Sequence, residues 1–473
     1  MHIGVYHAMT SLSQVPKRLL ALVVSTRKRG HTPLSHRPSP SLPPELIYAI
    51  IDHLPSPNIL WVTAHIFGAH EDTYQWIAIL CNLCLVARAW YAVASARLYG
   101  TLITRSAERI HLLQRTLRDR PSLGSFTVSL HILNMSYDRE NLQGVSAADE
   151  LEGRVKDYGP STLQSIRDIL SICSNLEKLT MIHVGNAHLI FNTAATAQFT
   201  FRKLTIVYQC TFRNSGNPHI VPYVPSVKDL TLRRLSIAPP LLPPSYLTSD
   251  LHTLRLIFVT NNRFPIADAA LSHLGTMSNL RKLVMAHVHN ISYIGDYPIV
   301  PCPPCLDELA MIGAGEVGIF GNWVTRGVTP NADALSSLRH LTLGPVSYFD
   351  TFLQTWILPT NLESLTLIVR MTDSYDVTVQ GIKNNITSFL SLPPNISIMS
   401  SNRWKRLELA LTRMHIHDSQ DPEIIAHVEL LDAAIKSFEE LLVRHRIRNV
   451  IKTDHDCELS HSRIPVVDVV TLH

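Results

Sequence analysis

Three short clusters in this chain carry residue types at spacings that chemistry uses. Gly313-Ala-Gly315-Glu-Val-Gly318 matches G-x-G-x-x-G and follows the strand-like Leu309-Ala-Met311. Between a strand and a helix, that spacing lets the backbone approach a pyrophosphate, which then rests on the helix N-terminus. The residues after Gly318, IFGNWVTRGVTPN, include glycines and a proline and show no helical face. The expectation is therefore a Gly-rich connecting loop and no bound nucleotide. Cys302-Pro-Pro-Cys305 and Cys81-Asn-Leu-Cys84 are both C-x-x-C pairs. A redox pair needs a thiolate stabilised at a helix N-terminus, and zinc-binding pairs sit on turns. The first pair instead precedes a strand-like segment and the second lies inside a helix-like one, so neither redox chemistry nor a metal is expected. The 24 histidines are scattered without an H-E-x-x-H, and His287-Val-His289 fits the solvent side of a strand end. No paired carboxylates or Ser/His/Asp set stands out by order, although such sets are recognised by geometry. A chain without cofactor and without catalysis is expected.

The Gly-rich and Cys302 clusters lie between copies of a larger pattern. An apolar residue, two variable residues, Leu, any residue and a further Leu, Met or Ile recur nine times. The copies are Leu176/Leu179/Met181, Phe201/Leu204/Ile206, Val227/Leu230/Leu232, Leu251/Leu254/Leu256, Leu280/Leu283/Met285, Leu306/Leu309/Met311, Leu338/Leu341/Leu343, Leu362/Leu365/Leu367 and Trp404/Leu407/Leu409. Their starts lie 24 to 42 residues apart. A period in the twenties with L-x-x-L-x-L is the signature of a leucine-rich repeat. On a strand the fourth and sixth residues share one face and point into a core, while the third, fifth and seventh point outward. One copy cannot bury its leucines alone, so copies stack into a solenoid with a curved parallel sheet on its concave side. An earlier copy fits at Leu123 to Ile132, with Leu130 and Ile132 as its strand pair. The long intervals from 306 to 338 and from 362 to 404 need insertions or a missed copy.

Between strands, residues 161–175 read as a helix with Leu163, Ile166, Ile169, Leu170 and Cys173 along one side. The Pro-rich segment 239–248 cannot be helical throughout. The convex side should therefore mix helices and loops. Asp421-Pro422-Glu423 opens a predicted helix to residue 446, with a stripe of Ile424, Val428, Leu431, Ile435, Phe438 and Leu442. An end cap over the array is the preferred role, because an open end would expose apolar surface and a strand edge.

A chain of 473 residues is long enough for two or more domains, and 46% hydrophobic with 17% charged residues suits a folded chain. A net charge of +4, without a dense Lys/Arg stripe, gives no case for nucleic acid. No apolar run reaches the roughly 18 residues of a membrane span. Seven cysteines are too few for a disulfide framework and fit a reducing compartment. Glycosylation sequons at Asn134, Asn290, Asn385 and Asn395 carry no meaning without secretion. No acid precedes Glu45, while Lys17, Arg18, Arg27, Lys28, Arg29 and Arg37 do. This start reads as a disordered basic extension, with a mitochondrial presequence as the alternative.

Residues 42–54, LPPELIYAIIDHL, place prolines where a helix starts and Leu46, Ile47, Ile50, Ile51 and Leu54 on one helical face. Residues 80–99 place Leu83, Val86, Trp90 and Ala94 on another. Both segments also suit a small helical cap with these residues as core. Leu42-Pro43-x-Glu45-Leu46-Ile47 followed by Leu85-Val86-x-Arg88-x-Trp90, with Ala94-x-x-x-Leu98-Tyr99 behind, resembles an F-box. Followed by irregular leucine-rich repeats, it resembles the fungal F-box/leucine-rich-repeat proteins. The resemblance implies binding of a Skp-family adaptor, through it a cullin, and a protein substrate on the repeats. Carried over by motif position, the adaptor-facing residues are Leu42, Pro43, Leu46, Ile50, Leu83, Val86 and Trp90. Pro43 to Trp90 is longer than the usual motif. The extra stretch, 55–79, holds Trp61, Phe67 and Trp76, and reads either as an added helix or as a translated intron.

The resulting fold class is α/β. It comprises a disordered extension (1–40), a helical F-box-like module (41–100), a leucine-rich-repeat solenoid (101–420), a capping helix (421–450) and a tail (451–473). The outward positions that would face a substrate include Lys178, Thr180, Lys203, Thr205, Thr231, Arg255, Lys282, His340, Thr342, Thr366 and Arg406. Bases outnumber acids at the third position, which implies a partner with some negative charge. The expected role is the substrate adaptor of a cullin-type ubiquitin ligase in the cytoplasm or nucleus. The alternative is a non-catalytic repeat scaffold that no longer binds the adaptor.

Overall fold

The computed structural model describes residues 42–53, 70–85, 88–104, 106–133, 158–182, 200–207, 226–233, 250–257, 274–286, 301–313, 335–344, 356–370, 387–412 and 450–455. It also describes Val184, Ile190, Phe191, Ile319, Phe320, Trp323 and Asn384. The chain divides into two compact units, residues 1–101 and 102–473.

The first unit contains α1 (Pro44–Asp52), α2 (His70–Cys84) and α3 (Arg88–Gly100). Pro44 opens α1, where a missing N–H costs nothing, and Glu45 lies near the positive helix end. Ile47 and Ile51 of α1, Trp76 and Leu80 of α2, and Val93 and Ala94 of α3 form one buried core. The face expected to run continuously through 80–99 is broken. Leu85 N donates to Asn82 O at 3.0 Å in a tight turn, and a new helix begins at Arg88. Leu83 and Trp90 therefore belong to different helices. No Gly or Pro marks that break. Of the 55–79 stretch, residues 70–79 are helical and place Trp76 in the core, while 55–69 lie outside the described residues.

The second unit is built on a twelve-stranded sheet whose spatial order is its chain order. The strands are β1 (Thr101–Thr104), β2 (Ser129–Leu133), β3 (Lys178–Ile182), β4 (Thr200–Val207), β5 (Ser226–Arg233) and β6 (Thr253–Ile257). They continue with β7 (Lys282–Ala286), β8 (Glu308–Ile312), β9 (His340–Gly344), β10 (Ser364–Arg370), β11 (Arg406–Thr412) and β12 (Val450–His455). From β2 to β12 every neighbouring pair is parallel. The register aligns the repeats: Leu179 sits beside Leu204, Leu204 beside Leu230, and so on to Leu365 beside Leu407. From Leu179 to Leu365 the fourth and sixth residues of every copy are buried. Each buried side chain of this size contributes roughly 1.5–3 kcal/mol. The architecture is α/β and solenoid-like, one strand per repeat.

Helices fill some of the intervals. These are α4 (Ala107–Asp119), the single turn α5 (Pro121–Gly124), α6 (Pro160–Ile172) and α7 (Pro393–Met399). Leu163, Ile166, Ile169 and Leu170 of α6 are all buried, as their spacing predicts. Ser106 caps α4 by accepting from Arg109 N at 3.3 Å. Strands β8 and β9 pair directly, as do β10 and β11, so no repeat strand lies between either pair in the sheet, and both long intervals hold insertions.

Several expectations are corrected. The seventh position is buried at Ile182, Val207, Ile257, Ala286, Gly344 and Ile368. These residues line up across strands into a second, mostly apolar row, interrupted by Arg233 between Val207 and Ile257, which the alternation argument places in solvent. Gly344 is small for a reason: a Cβ there would lie 2.3 Å from the Ile368 Cβ. Residues 450–455 of the expected cap and tail form β12, with Val450 in register with Leu407. At the other end Leu102 and Thr104 are buried in β1, an additional strand whose sixth residue is Thr, not Leu. Ile319, Phe320 and Trp323 are helical and buried, against the expectation of a Gly-rich loop without a helical face. Phe320 packs edge-on to Trp356 at 5.3 Å, and Trp356 stacks on Phe389 at 5.2 Å. The segments 239–248 and 421–446 lie outside the described residues.

Candidate functional site

The lookalike clusters resolve into structural roles where they are described. Gly313 has φ 133°, a conformation that favours glycine, and its N–H donates to Gly344 O at 2.7 Å. It terminates β8 inside a sheet whose strand order never reverses. Dinucleotides bind where an open α/β sheet reverses its order, and this sheet lacks that crevice. Gly315 and Gly318 lie outside the described residues.

Cys302 is buried, its thiol pushed up to about 12 by burial, and its Sγ donates to Pro303 O at 3.5 Å. A thiol so disfavoured as thiolate is a poor nucleophile. Cys305 is half-buried and unbridged. Cys81 is exposed on α2, and Cys84 lies 3.6 Å from Ser95 Oγ. Burial and the neighbouring Cys84 raise the Cys81 thiol. Among the described residues no group of three or more His, Cys, Asp and Glu is placed to hold a metal.

One Ser–His contact exists between α4 and α6. His111 Nδ1 lies 2.8 Å from Ser165 Oγ, and its Nε2 lies 3.3 Å from Thr162 Oγ1. A catalytic histidine is held by a carboxylate on its far nitrogen, and here a hydroxyl stands in that place. Ser165 is buried and also engages Gln114 Oε1 and Ser161 O, both at 3.0 Å. Arg118 pairs with Asp168 at 2.8 Å in the same set, so the cluster reads as a polar seam between two helices.

Two surfaces remain. On the first unit, α1 separates its apolar residues into rows. Ile47 and Ile51 face the core, with Ile47 0% exposed, whereas Leu42 and Leu46 are 43% and 50% exposed and Ile50 is half-buried. The single broad face expected for Leu46 to Leu54 is therefore two rows, each with i, i+4 spacing. Pro43 is exposed. Leu83 and Trp90 are partly buried against the core. Val86 and Leu54 lie outside the described residues. Tyr48, Leu85 and Tyr91 add exposed apolar area that the motif positions do not include.

On the second unit, the outward side of the sheet is uneven. Lys178 is exposed; Thr180, Lys203, Thr205, Thr231, Arg255, Lys282, His340 and Thr342 are half-buried; Thr366 is buried. Arg406 begins β11, in register with Ser364. Toward the C-terminal strands the charges satisfy one another. Lys282 pairs with Glu308 at 2.7 Å, and Glu363 binds both Arg339 and Lys405. The Lys405 hydrogen bond, with help from Arg339, holds the Glu363 carboxyl below its usual range. His340 Nδ1 lies 2.7 Å from Ser364 Oγ, and burial lowers its pKa. At the opposite end, His131 of β2 is buried with Nε2 2.8 Å from Ser129 Oγ. Burial, then Lys178 and Lys203, lowers its pKa to about 4, so it is neutral at pH 7. No helix among the described residues is long and apolar enough to cross a membrane. No family model matches this chain, and no curated protein matches it.

Proposed function

We propose that this chain is the substrate-recognition adaptor of a cullin-type ubiquitin ligase, binding a Skp-family adaptor through its first unit and a protein substrate through its repeat sheet. The carrying observation is the division of α1. Ile47 and Ile51 hold the helix to its core, which leaves the exposed Leu42 and Leu46 and the half-buried Ile50 as a second row outside that core, with the exposed N-cap Pro43 beside it. Exposed leucines in one row on a short, anchored helix are the kind of apolar anchors that enter a partner's groove. The repeat sheet supports the second half of the reading. A strand per repeat presents the third and fifth residues of many copies side by side, a layout suited to protein binding. Binding of the full chain to a purified Skp-family adaptor is the test, with Leu46→Asp as the loss-of-contact variant.

A second reading is a repeat scaffold that does not bind the adaptor. It is favoured by Leu83 and Trp90, which pack against the core of the unit and do not project freely. The same measurement separates the two readings.

A further inference from the structure

The positive charge of this chain is concentrated in the part that builds β4 to β7. Residues 200–282 hold ten Lys and Arg against three Asp and no Glu, a net +7 in a chain whose total is +4. In this stretch the second residue of every repeat is basic: Arg202, Lys228, His252 and Arg281. All four are exposed, and each follows a buried apolar residue, Phe201, Val227, Leu251 or Leu280. The backbone sets them in one row across the strand entries. Arg202 lies across from Lys228, between the register pairs Phe201/Val227 and Lys203/Asp229. His252 N donates to Lys228 O at 2.8 Å, and Arg281 N donates to His252 O at 2.9 Å. Side chains at this position meet across repeats, because Glu363 binds both Arg339 and Lys405, the second residues of the repeats on either side of it. The acids around the basic stretch are accounted for. Glu177 and Asp307 hold the second positions just before and just after it. The Asp250 carboxylate accepts from Ser226 Oγ at 3.2 Å, its carbonyl accepts from His252 Nδ1 at 2.6 Å, and Asp229 occupies the third position, beside Lys203. Arg281 Nη1 donates to Cys305 O at 3.2 Å. Among the described residues none of Arg202, Lys228 and Arg281 has an ion-pair partner.

We infer that this row docks an extended acidic segment of a partner protein, laid across the entries of β4 to β7 with its carboxylates on Arg202, Lys228 and Arg281. The chain itself supplies the chemistry further along the same row, where the Glu363 carboxylate neutralises the bases on both sides. No acid holds the second position from Arg202 to Arg281, so a partner's carboxylates take that place. The dimensions agree. Three strand spacings separate Arg202 from Arg281, about 14 Å, and alternate residues of an extended peptide lie about 6.6 Å apart on one side, so five residues with acids at every second one cover about 13 Å. Single-stranded nucleic acid is the poorer fit, because it binds through aromatic platforms as well as charge, and no large apolar or aromatic residue of β4 to β7 is exposed among the described residues. The inference rests on reading the second unit as a protein-binding array, and it is independent of whether the first unit binds a Skp-family adaptor.

Fluorescence anisotropy of the full chain with a labelled nine-residue peptide, Glu at alternate positions with Thr between, tests it. The comparison probe replaces every Glu by Gln, and a labelled uridine decamer serves as the nucleic-acid probe. The expected result is salt-sensitive binding of the acidic peptide alone, weakened about tenfold or more by R202E/R281E. K228E sets an internal acid between Arg202 and His252, as Glu363 stands between Arg339 and Lys405, and should weaken binding about tenfold by itself. R109E/R115E on α4 changes net charge as much as R202E/R281E and should leave binding intact. Unchanged amide exchange in β5 and β6 shows that the variants keep their fold. No binding of the acidic peptide, equal binding of the Gln peptide, equal loss in R109E/R115E, or binding of the uridine decamer in place of the peptide would each overturn the inference. Because adaptor capture uses the other unit, its failure is read in a separate assay.

Discussion

Gly344→Ala tests the packing of the buried seventh-position row. A Cβ built on Gly344 lies 2.3 Å from Ile368 Cβ, 3.1 Å from its Cγ1 and 3.2 Å from its Cα. Comfortable carbon–carbon contact is about 3.5–4.0 Å, so the added carbon is about 1 Å or more too close to the Ile368 Cβ, an atom fixed to the backbone. No rotamer change relieves a Cβ–Cβ clash. Strands β9 and β10 must therefore separate locally, at a cost of about 1–3 kcal/mol for overpacking. A repeat array need not unfold as one unit, so the suitable assay is native-state amide exchange on β9 and β10, not a global melt. Ile368→Gly removes the opposing carbon and should abolish most of the cost of G344A, although it destabilises on its own by roughly 2–5 kcal/mol. Ile368→Ala retains Cβ and should not rescue. An equal cost of G344A in the wild-type and I368G backgrounds would show that the Ile368 Cβ is not what excludes a side chain at Gly344, as would a neutral single variant.

Further outcomes are expected at Asn395, His131 and Cys302. Asn395 accepts from Leu358 N at 2.8 Å and donates to Trp356 O at 3.0 Å and Phe389 O at 2.9 Å, all buried, so Asn395→Ala should cost about 3 kcal/mol or more by local amide exchange. The same burial makes its sequon unavailable to a glycosyltransferase once folded, which mass spectrometry of folded protein exposed to the enzyme would show. His131 has its pKa depressed from 6.5 to about 4, so its contribution is present above pH 6.5 and is lost as pH falls toward 4. The full loss is worth about 3 kcal/mol, and His131→Leu should flatten the stability of β2 and β3 across that window. Cys302 should resist iodoacetamide at pH 8 in the native chain while exposed Cys81 reacts, with peptide mapping as the readout.

The repeat is legible in the sequence because each copy solves the same burial problem with the same two residues. The fourth and sixth positions place the core directly, and the register that aligns Leu179 with Leu204 and onward follows from it. The seventh row escapes that reading for a definite reason. Alternation alone assigns it to solvent, yet Ile182, Val207, Ile257, Ala286, Ile312, Ile368 and Ala410 share one offset, with Arg233 and Gly344 as the exceptions among nine copies, a signal present in the residues. The terminal strands escape the pattern because Thr104 and Lys452 occupy the sixth position, where the template requires Leu, Met or Ile. The helical Ile319, Phe320 and Trp323 are obscured by adjacent glycines, although their spacing of three and four fits a helix face. On α1, composition shows five apolar residues but not where burial stops. Only the packing of α2 and α3 against Ile47 and Ile51 separates core from surface. On the outward sheet face, residue type is visible in the sequence, but neutralisation is not. That Lys282 is tied to Glu308 while Lys178 has no such partner among the described residues depends on neighbours from other repeats.

In the proposed role the outward row of α1 binds a Skp-family adaptor while the inward row holds the fold. Isothermal titration of the full chain with the purified adaptor, run beside circular dichroism, addresses it directly. Wild type is expected to bind, Leu46→Asp to lose binding by roughly a hundredfold with an unchanged spectrum, and Ile47→Asp to lose helical signal together with binding. Wild-type chain that is folded but does not bind the adaptor would contradict it, as would a Leu46→Asp variant that binds as tightly as wild type.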